Sequence, residues 1–431
     1  MQGLVISMNE NELLRVRGPA KIKVGRGSLY ALGRELKEGE ELTVTKSKVV
    51  CVKAITSCEL KALIGGGGGL EEAKGGEESV DEWSSKLPEA LQAELPLKVL
   101  VLGATDTGKS TATTFLVNMA ISRGLKVAVI DSDVGQNDIA PPSTIGLAFA
   151  KGYISSLREL KAEKVHFIGS ITPSGYECEI VHGLRELMGH ALNSGADAVI
   201  INTDGWIRGS YALKFKLNML KATLPDAIVG LQRGGELESL LKGLEAYGWR
   251  VIRLRTPPAA PKRDHRERRE LRSLSYNKYF ANSKRVLLNL LKVPILNSPL
   301  FKGVPISPQD LKTLLGEGIE VCHCERVGDE GYLIVEGEAE ILRLSGVKKV
   351  LGVSEVIVHK RGQERGLIVG LLGEGLEPLG LGVIEEIDYG RKLVKIITPV
   401  EGHIKGLLLG RVKVIMREEG GGFKVVEDFQ R

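Results

Sequence analysis

The residues Gly103-Ala104-Thr105-Asp106-Thr107-Gly108-Lys109-Ser110-Thr111 match the spacing G-x-x-x-x-G-K-[ST]. Glycine lets the backbone curl, so that successive N–H groups point into one concavity suited to phosphate oxygens. A helix starting near Lys109 adds the positive end of its dipole at the same place. Lys109 is a compact charge for the β- and γ-phosphates, and the Ser110 hydroxyl is a ligand for Mg²⁺. The implied chemistry is binding of ATP with Mg²⁺ or another divalent cation, and transfer or hydrolysis of its terminal phosphoryl group.

A second cluster is Asp131-Ser132-Asp133-Val134-Gly135-Gln136, at the end of the apolar run KVAVI. Ligands in open parallel sheets sit beyond the carboxyl ends of strands. Of these two acids, Asp131 and Asp133, one can help to hold hydrated Mg²⁺ and the other can take the proton of an attacking hydroxyl. The segment also argues against guanine. A GTPase needs glycine three residues after its aspartate, and Val134 and Gln136 stand there instead. Asn277-Lys278 is followed by Tyr279-Phe280 and does not complete N-K-x-D.

Thr203-Asp204-Gly205-Trp206 closes the run AVIIN and carries one of three tryptophans. A Trp just past a strand end either stacks a nucleic-acid base or plugs a gap between helix and sheet. Residues Pro261 to Arg272 form the most basic stretch, and Arg268 and Arg272, four apart, share a helix face. Such arginines suit a lid that neutralises charge on a moving phosphoryl group, and equally a solvated helix with Glu–Arg pairs. Thr172-Pro173-Ser174-Gly175 is a candidate substrate-facing turn. Cys322-His323-Cys324 lacks a second ligand pair at finger spacing and reads as two buried cysteines on a strand.

The elements that must position these residues alternate. LKVLVLG reads as a buried strand, STATTFLVNMAISRG as a helix and KVAVID as a strand; the alternation continues through ELMGHALNSG, ADAVIINT, YALKFKLNMLKATL and DAIVGL. That rhythm predicts a parallel sheet wrapped by helices over 83–295. Residues 1–64 alternate short β-rich runs (LLRVRG, AKIKVG, LTVTKS, VVCVKAI) and predict an N-terminal β module. Five glycines from Gly65 to Gly69, followed by EEAKGGEES, predict a flexible linker over 65–82. Residues 296–431 show strand-like runs, among them GYLIVEG, AEILRLS, EVIVHK and KLVKIITP, and predict a C-terminal β module, a barrel or a sandwich. The expected fold class is α/β: a central P-loop NTPase-type parallel sheet, with an all-β module before it and another after it in the chain.

With 431 residues the chain is too long for one ordinary core. Its 43% hydrophobic and 26% charged residues are those of a globular protein, and a net charge of +5 permits a nucleic-acid partner without demanding one. Five cysteines and no secretory start predict a reducing compartment, the cytoplasm, and no apolar stretch predicts a membrane span.

In this order the motifs resemble the polynucleotide 5′-hydroxyl kinase family, which includes the kinase subunit of the pre-messenger-RNA cleavage factor. The family pattern stands here as GATDTGKST, DVGQ from Asp133, TPSG from Thr172, NTDGW from Asn202 and RRELR from Arg268. The resemblance implies an ATP-dependent kinase acting on the 5′-hydroxyl end of RNA, with DNA as a further acceptor, and RNA-processing proteins as partners. Asp133 would be the base. Lys109 and Ser110 would handle ATP and Mg²⁺, and Thr203 and Trp206 would clasp the polynucleotide end with Gln136 and Thr172 nearby. Arg268 and Arg272 would be the lid arginines, with Arg263, Arg266 and Arg269 as alternatives. An ATP-bound scaffold without catalysis, or a P-loop ATPase or GTPase, are the competing functions.

Overall fold

Alternation of apolar and polar residues builds the N-terminal sheets. The strand Ala20–Arg26 buries Ala20, Ile22 and Val24 and turns Lys21 and Lys23 outward. In the computed structural model, which describes residues 2–46, 48–74, 76–258, 260–309, 311, 314, 318–337, 344–419 and 422–430, these strands form two antiparallel sheets. One orders Gln2–Met8, Cys58–Ile64, Ala20–Arg26 and Glu41–Val44; the other orders Arg34–Leu36, Leu29–Ala31, Val49–Ala54, Leu13–Arg17 and Gly69–Ala73. Their inward residues share one core.

The segment expected to be a flexible linker is ordered in part. Gly69–Ala73 pairs with Leu13–Arg17, and the helix Val80–Lys86 buries Trp83. Glycine content suggested mobility, but an unpaired strand edge beside the segment supplied partners for its backbone.

The central sheet has seven strands in the order Lys164–Phe167, Thr144–Ala150, Val127–Asp131, Ala198–Asn202, Leu97–Gly103, Ala227–Gln232, Arg250–Arg255. The last five are mutually parallel, and the first two are antiparallel additions at one edge. The expected parallel sheet is therefore mixed. Its inner strands are buried on both faces, which is why they read as continuous apolar runs. Val99 and Val101 join the core shared with the N-terminal sheets, and Leu100 and Leu102 join the core under the helices Glu177–Asn193 and Ser210–Thr223.

The chain divides into two compact units, Met1–Ile168 with Thr172–Arg268, and Gly169–Ile171 with Arg269–Arg431. The N-terminal sheets and the seven-stranded sheet thus belong to one unit. The second unit holds a six-stranded antiparallel sheet ordered Lys284–Asn289, Leu393–Thr398, Pro378–Asp388, Leu367–Leu372, Gly406–Glu419, Gly422–Gln430. It also holds a four-stranded sheet in which Glu330–Glu336 and Glu355–Lys360 run parallel, with the helix Leu344–Leu351 between them in the chain. The strand expected at AEILRLS lies mostly outside the described residues, and its Leu344 and Ser345 are helical. Cys322 and Cys324 lie on the strand Glu320–Val327, with Cys324 buried.

Candidate active site

The strand Leu97–Gly103 delivers the chain into a tight loop, and the helix Lys109–Ser122 leaves it. Gly108 adopts φ +96°, a conformation glycine takes freely, and a Cβ there would lie 3.2 Å from Trp83. Lys109 is not the solvated charge a surface lysine would be. It is 7% exposed, and its Nζ donates to the Ala104 carbonyl at 2.8 Å. Burial lowers its pKa, opposed chiefly by the Asp133 carboxylate. Thr107 donates to the same carbonyl at 2.8 Å and stiffens the loop.

One cleft opens onto this loop. Thr105, Asp106, Gly108, Lys109, Ser110 and Thr111 line its floor, and Asp133 and Gln136 line its side. A facing wall is apolar, with Val50, Val80, Trp83 and Phe115. Trp83 is fixed by its Nε1, which donates to the Arg255 carbonyl at 3.1 Å, and by an edge-on contact with Phe115 at 5.5 Å. The N-terminal sheets therefore contribute directly to the cleft. Asn118 ties them to the helix of the loop by donating to the Leu32 carbonyl at 2.7 Å, and its amide also donates to the Ile154 carbonyl at 2.8 Å.

The two acids after Val127–Asp131 have different surroundings. Asp131 is fully buried, and its carboxylate accepts from the N–H groups of Asp133 (3.2 Å) and Asp138 (2.8 Å) and from Asn202 Nδ2 (3.0 Å). Burial pushes it up to about 7, and the nearby carboxylates of Asp138 and Asp133 add to that. It was expected to help hold hydrated Mg²⁺; here three donors on its two buried oxygens make it the organiser of the loop. Asp133 is only partly buried and lines the cleft. Its Oδ1 accepts from Gly135 and Gln136 N–H at 3.1 and 2.9 Å. Burial raises its pKa, Lys109 pulls it down and Asp204 pushes it up.

Asp138, which sequence reading missed, is ringed by cations. Arg158 Nε lies 2.7 Å from it and Lys48 Nζ 3.4 Å. Burial would raise its pKa, but Lys48, Arg158 and Arg263 hold it well below the usual carboxylate range. Nothing in the local sequence marks Lys48, because its partner Asp138 lies 90 residues further along the chain.

At the next strand, Thr203 is fully buried and its hydroxyl donates to the Val101 carbonyl at 2.8 Å. Its side chain fastens the turn to the P-loop strand and does not face a ligand, against expectation. Trp206 is half-buried and rests on Phe215, ring centroids 5.9 Å apart. Asp204 and Lys216, both missed by sequence reading, form a buried ion pair at 2.5 Å. Thr172 is exposed, on the turn before the helix Glu177–Asn193.

The basic segment is a helix, His265–Phe280. Arg268 Nη2 donates to Asp106 Oδ2 at 2.7 Å, and the Arg263 backbone N–H donates to the same oxygen at 3.1 Å. Gln136 Nε2 reaches the Arg268 carbonyl at 3.3 Å. Arg268 thus stands at the P-loop. Arg272 is engaged elsewhere: its Nε lies 2.6 Å from Asp428, a fully buried carboxylate on Gly422–Gln430. Arg269 pairs with Glu427 at 3.0 Å, and Asn277 exchanges hydrogen bonds with Val425, so one strand braces this helix.

The family described as mRNA cleavage and polyadenylation factor CLP1 P-loop matches residues 103–282. The chain is 36% identical to a polyribonucleotide 5′-hydroxyl-kinase of Pyrococcus abyssi, over 75% of this chain and 89% of that protein. It is 34% identical to one of Thermococcus kodakarensis, over 80% and 95%. The solved structure of Clp1p with Pcf11p has the same fold, with a TM-score of 0.60, 12% identity and coverage of 95% of this chain and 98% of that one. Sequence motifs, fold and relatives agree, and the chain belongs to the polyribonucleotide 5′-hydroxyl-kinase family.

Proposed function

We propose that this protein transfers the terminal phosphoryl group of ATP to the 5′-hydroxyl end of a polynucleotide, RNA in the first place. Family membership implies ATP binding. The observation that carries the reading is the placement of Asp133, a partly exposed carboxylate lining the same cleft as Lys109 and Ser110. A sugar hydroxyl is a poor nucleophile at neutral pH, and a carboxylate that accepts its proton as the new P–O bond forms lowers the barrier. Lys109 and the backbone N–H groups of the loop hold the phosphates, and Arg268, now on Asp106, and Arg263, which lines the cleft, are the arginines near enough to neutralise developing charge. Trp83, Phe115 and Val50 offer an apolar wall for a base. Trp206, half-buried on Phe215, would present a ring face to the polynucleotide end.

The donor set fits a divalent cation: the Ser110 hydroxyl and the Asp133 carboxylate line one cleft. Ser110 would be its direct protein ligand, and Asp131 would act from behind by shaping the loop. The cation supplies neutralisation of phosphate charge.

Five free cysteines suit a reducing, cytoplasmic setting, and among the described residues no helix is long and apolar enough to cross a membrane. The test is transfer of label from γ-labelled ATP to matched 5′-hydroxyl RNA and DNA oligonucleotides. Label on the 5′ end is expected, more on RNA. ATP hydrolysis without transfer would make the chain an ATPase, and tight ATP binding without turnover would make it a scaffold.

A further inference from the structure

The one buried lysine of the helix Ser210–Thr223 has no place in the chemistry just described. Lys216 is completely buried, and a lysine is buried so deeply only with a partner. Its Nζ lies 2.5 Å from Asp204 Oδ2 and 4.9 Å from the centre of the Phe215 ring. The other oxygen of Asp204 accepts from the Trp206 N–H at 2.8 Å. Phe215 in turn carries the Trp206 ring. One ion pair therefore holds both the backbone and the platform of Trp206.

The same turn presses on the P-loop. A Cβ on Gly205 would come within 2.3 Å of Thr105 Oγ1 and 2.7 Å of Thr105 N, so no side chain fits between turn and loop. Thr105 lines the nucleotide cleft. The position of Asp204 thus sets the spacing between Trp206 and the loop that holds the phosphates. We propose that Asp204, neutralised by Lys216, is a positioning residue for the polynucleotide end: its carboxylate acceptor fixes the Gly205–Trp206 turn against Thr105. This rests on the kinase reading and on Trp206 facing the polynucleotide.

Two charge-neutral double variants isolate the acceptor. Asp204→Asn with Lys216→Met keeps an oxygen for the Trp206 N–H and fills the space of the lysine. Asp204→Ala with Lys216→Met removes the oxygen. Neither leaves a buried charge unpaired, so both are expected to fold, as circular dichroism will show. The first pair should show a polynucleotide KM near that of the wild type. The second should raise it about tenfold, the loss of one buried hydrogen bond. KM for ATP should be the same in both, which a general loss of structure would not spare. Equal polynucleotide KM in the two double variants, with the wild type transferring label normally, would overturn the positioning role and leave the kinase reading standing. A wild type that transfers no label overturns both.

Discussion

Two aspartates on loops after neighbouring strands, Asp133 and Asp204, have been given opposite environments. Asp204 is 3% exposed and pairs with Lys216, which is itself fully buried. Asp133 is partly exposed, accepts backbone N–H groups on one oxygen, and has only the P-loop lysine as its leading cationic influence. A carboxylate paired with a buried lysine serves structure. One that shares its cation with incoming phosphates is free to change partner and protonation during a reaction. Residue type alone does not separate the two. The neighbouring cation does.

The sharpest way to break this contrast is to remove the shared cation. Lys109→Ala should lower phosphoryl transfer by roughly 10³-fold or more, as loss of a charge partner does in phosphoryl transfer. Near-normal transfer by the variant would remove Lys109 from the chemistry. Asp133→Asn should lower kcat by roughly 10²–10⁴-fold with ATP affinity retained, the usual contribution of a general base. Because burial raises the pKa of Asp133, transfer by the wild type should rise with pH along an acid limb displaced above the ordinary aspartate range. The Asn variant should lack that limb.

Arginine repeats the comparison. Arg268 lies on the P-loop aspartate, and Arg268→Ala should lower kcat by roughly 10²-fold, more than it raises KM for ATP. Arg272 neutralises buried Asp428, and Arg272→Met should instead lower stability by about 3–5 kcal/mol, with Arg272→Met/Asp428→Asn recovering most of it in a urea titration. A kcat defect without loss of stability at Arg272 would return it to the lid. Trp206→Ala should weaken polynucleotide binding by roughly 1–3 kcal/mol, similarly for all four terminal bases, and leave ATP binding alone.

The smallest effect concerns Asp131. Its pKa stands at about 7 in the fold against 3.8 in an unperturbed aspartate, so the folded state holds a proton that the unfolded chain has lost. Its contribution to stability is complete below 3.8 and is lost as pH rises through about 7. The stability advantage of the wild type over Asp131→Asn should therefore shrink across that window, and a pH-independent difference would contradict the assignment.

What the sequence determined by itself is local. The G-x-x-x-x-G-K-[ST] run between an apolar strand and a helix specifies a P-loop, because backbone curvature and helix polarity are set by near neighbours. The buried central strands were equally legible, since a strand covered on both faces needs an unbroken apolar run. Tertiary structure decided the rest. Gly69–Ala73 reads as linker and becomes a strand only because Leu13–Arg17 lies beside it. Thr203 sits in a clasp-like motif yet spends its hydroxyl on the Val101 carbonyl, and Arg272 sits in a lid-like motif yet meets Asp428. Lys48 and Lys216 look like surface lysines, yet Lys48 is half-buried against Asp138 and Lys216 is fully buried against Asp204. Each of these depends on a partner distant in sequence or hidden by packing. Charge pairing and burial are properties of the folded neighbourhood, and a residue's nearest neighbours along the chain do not specify them.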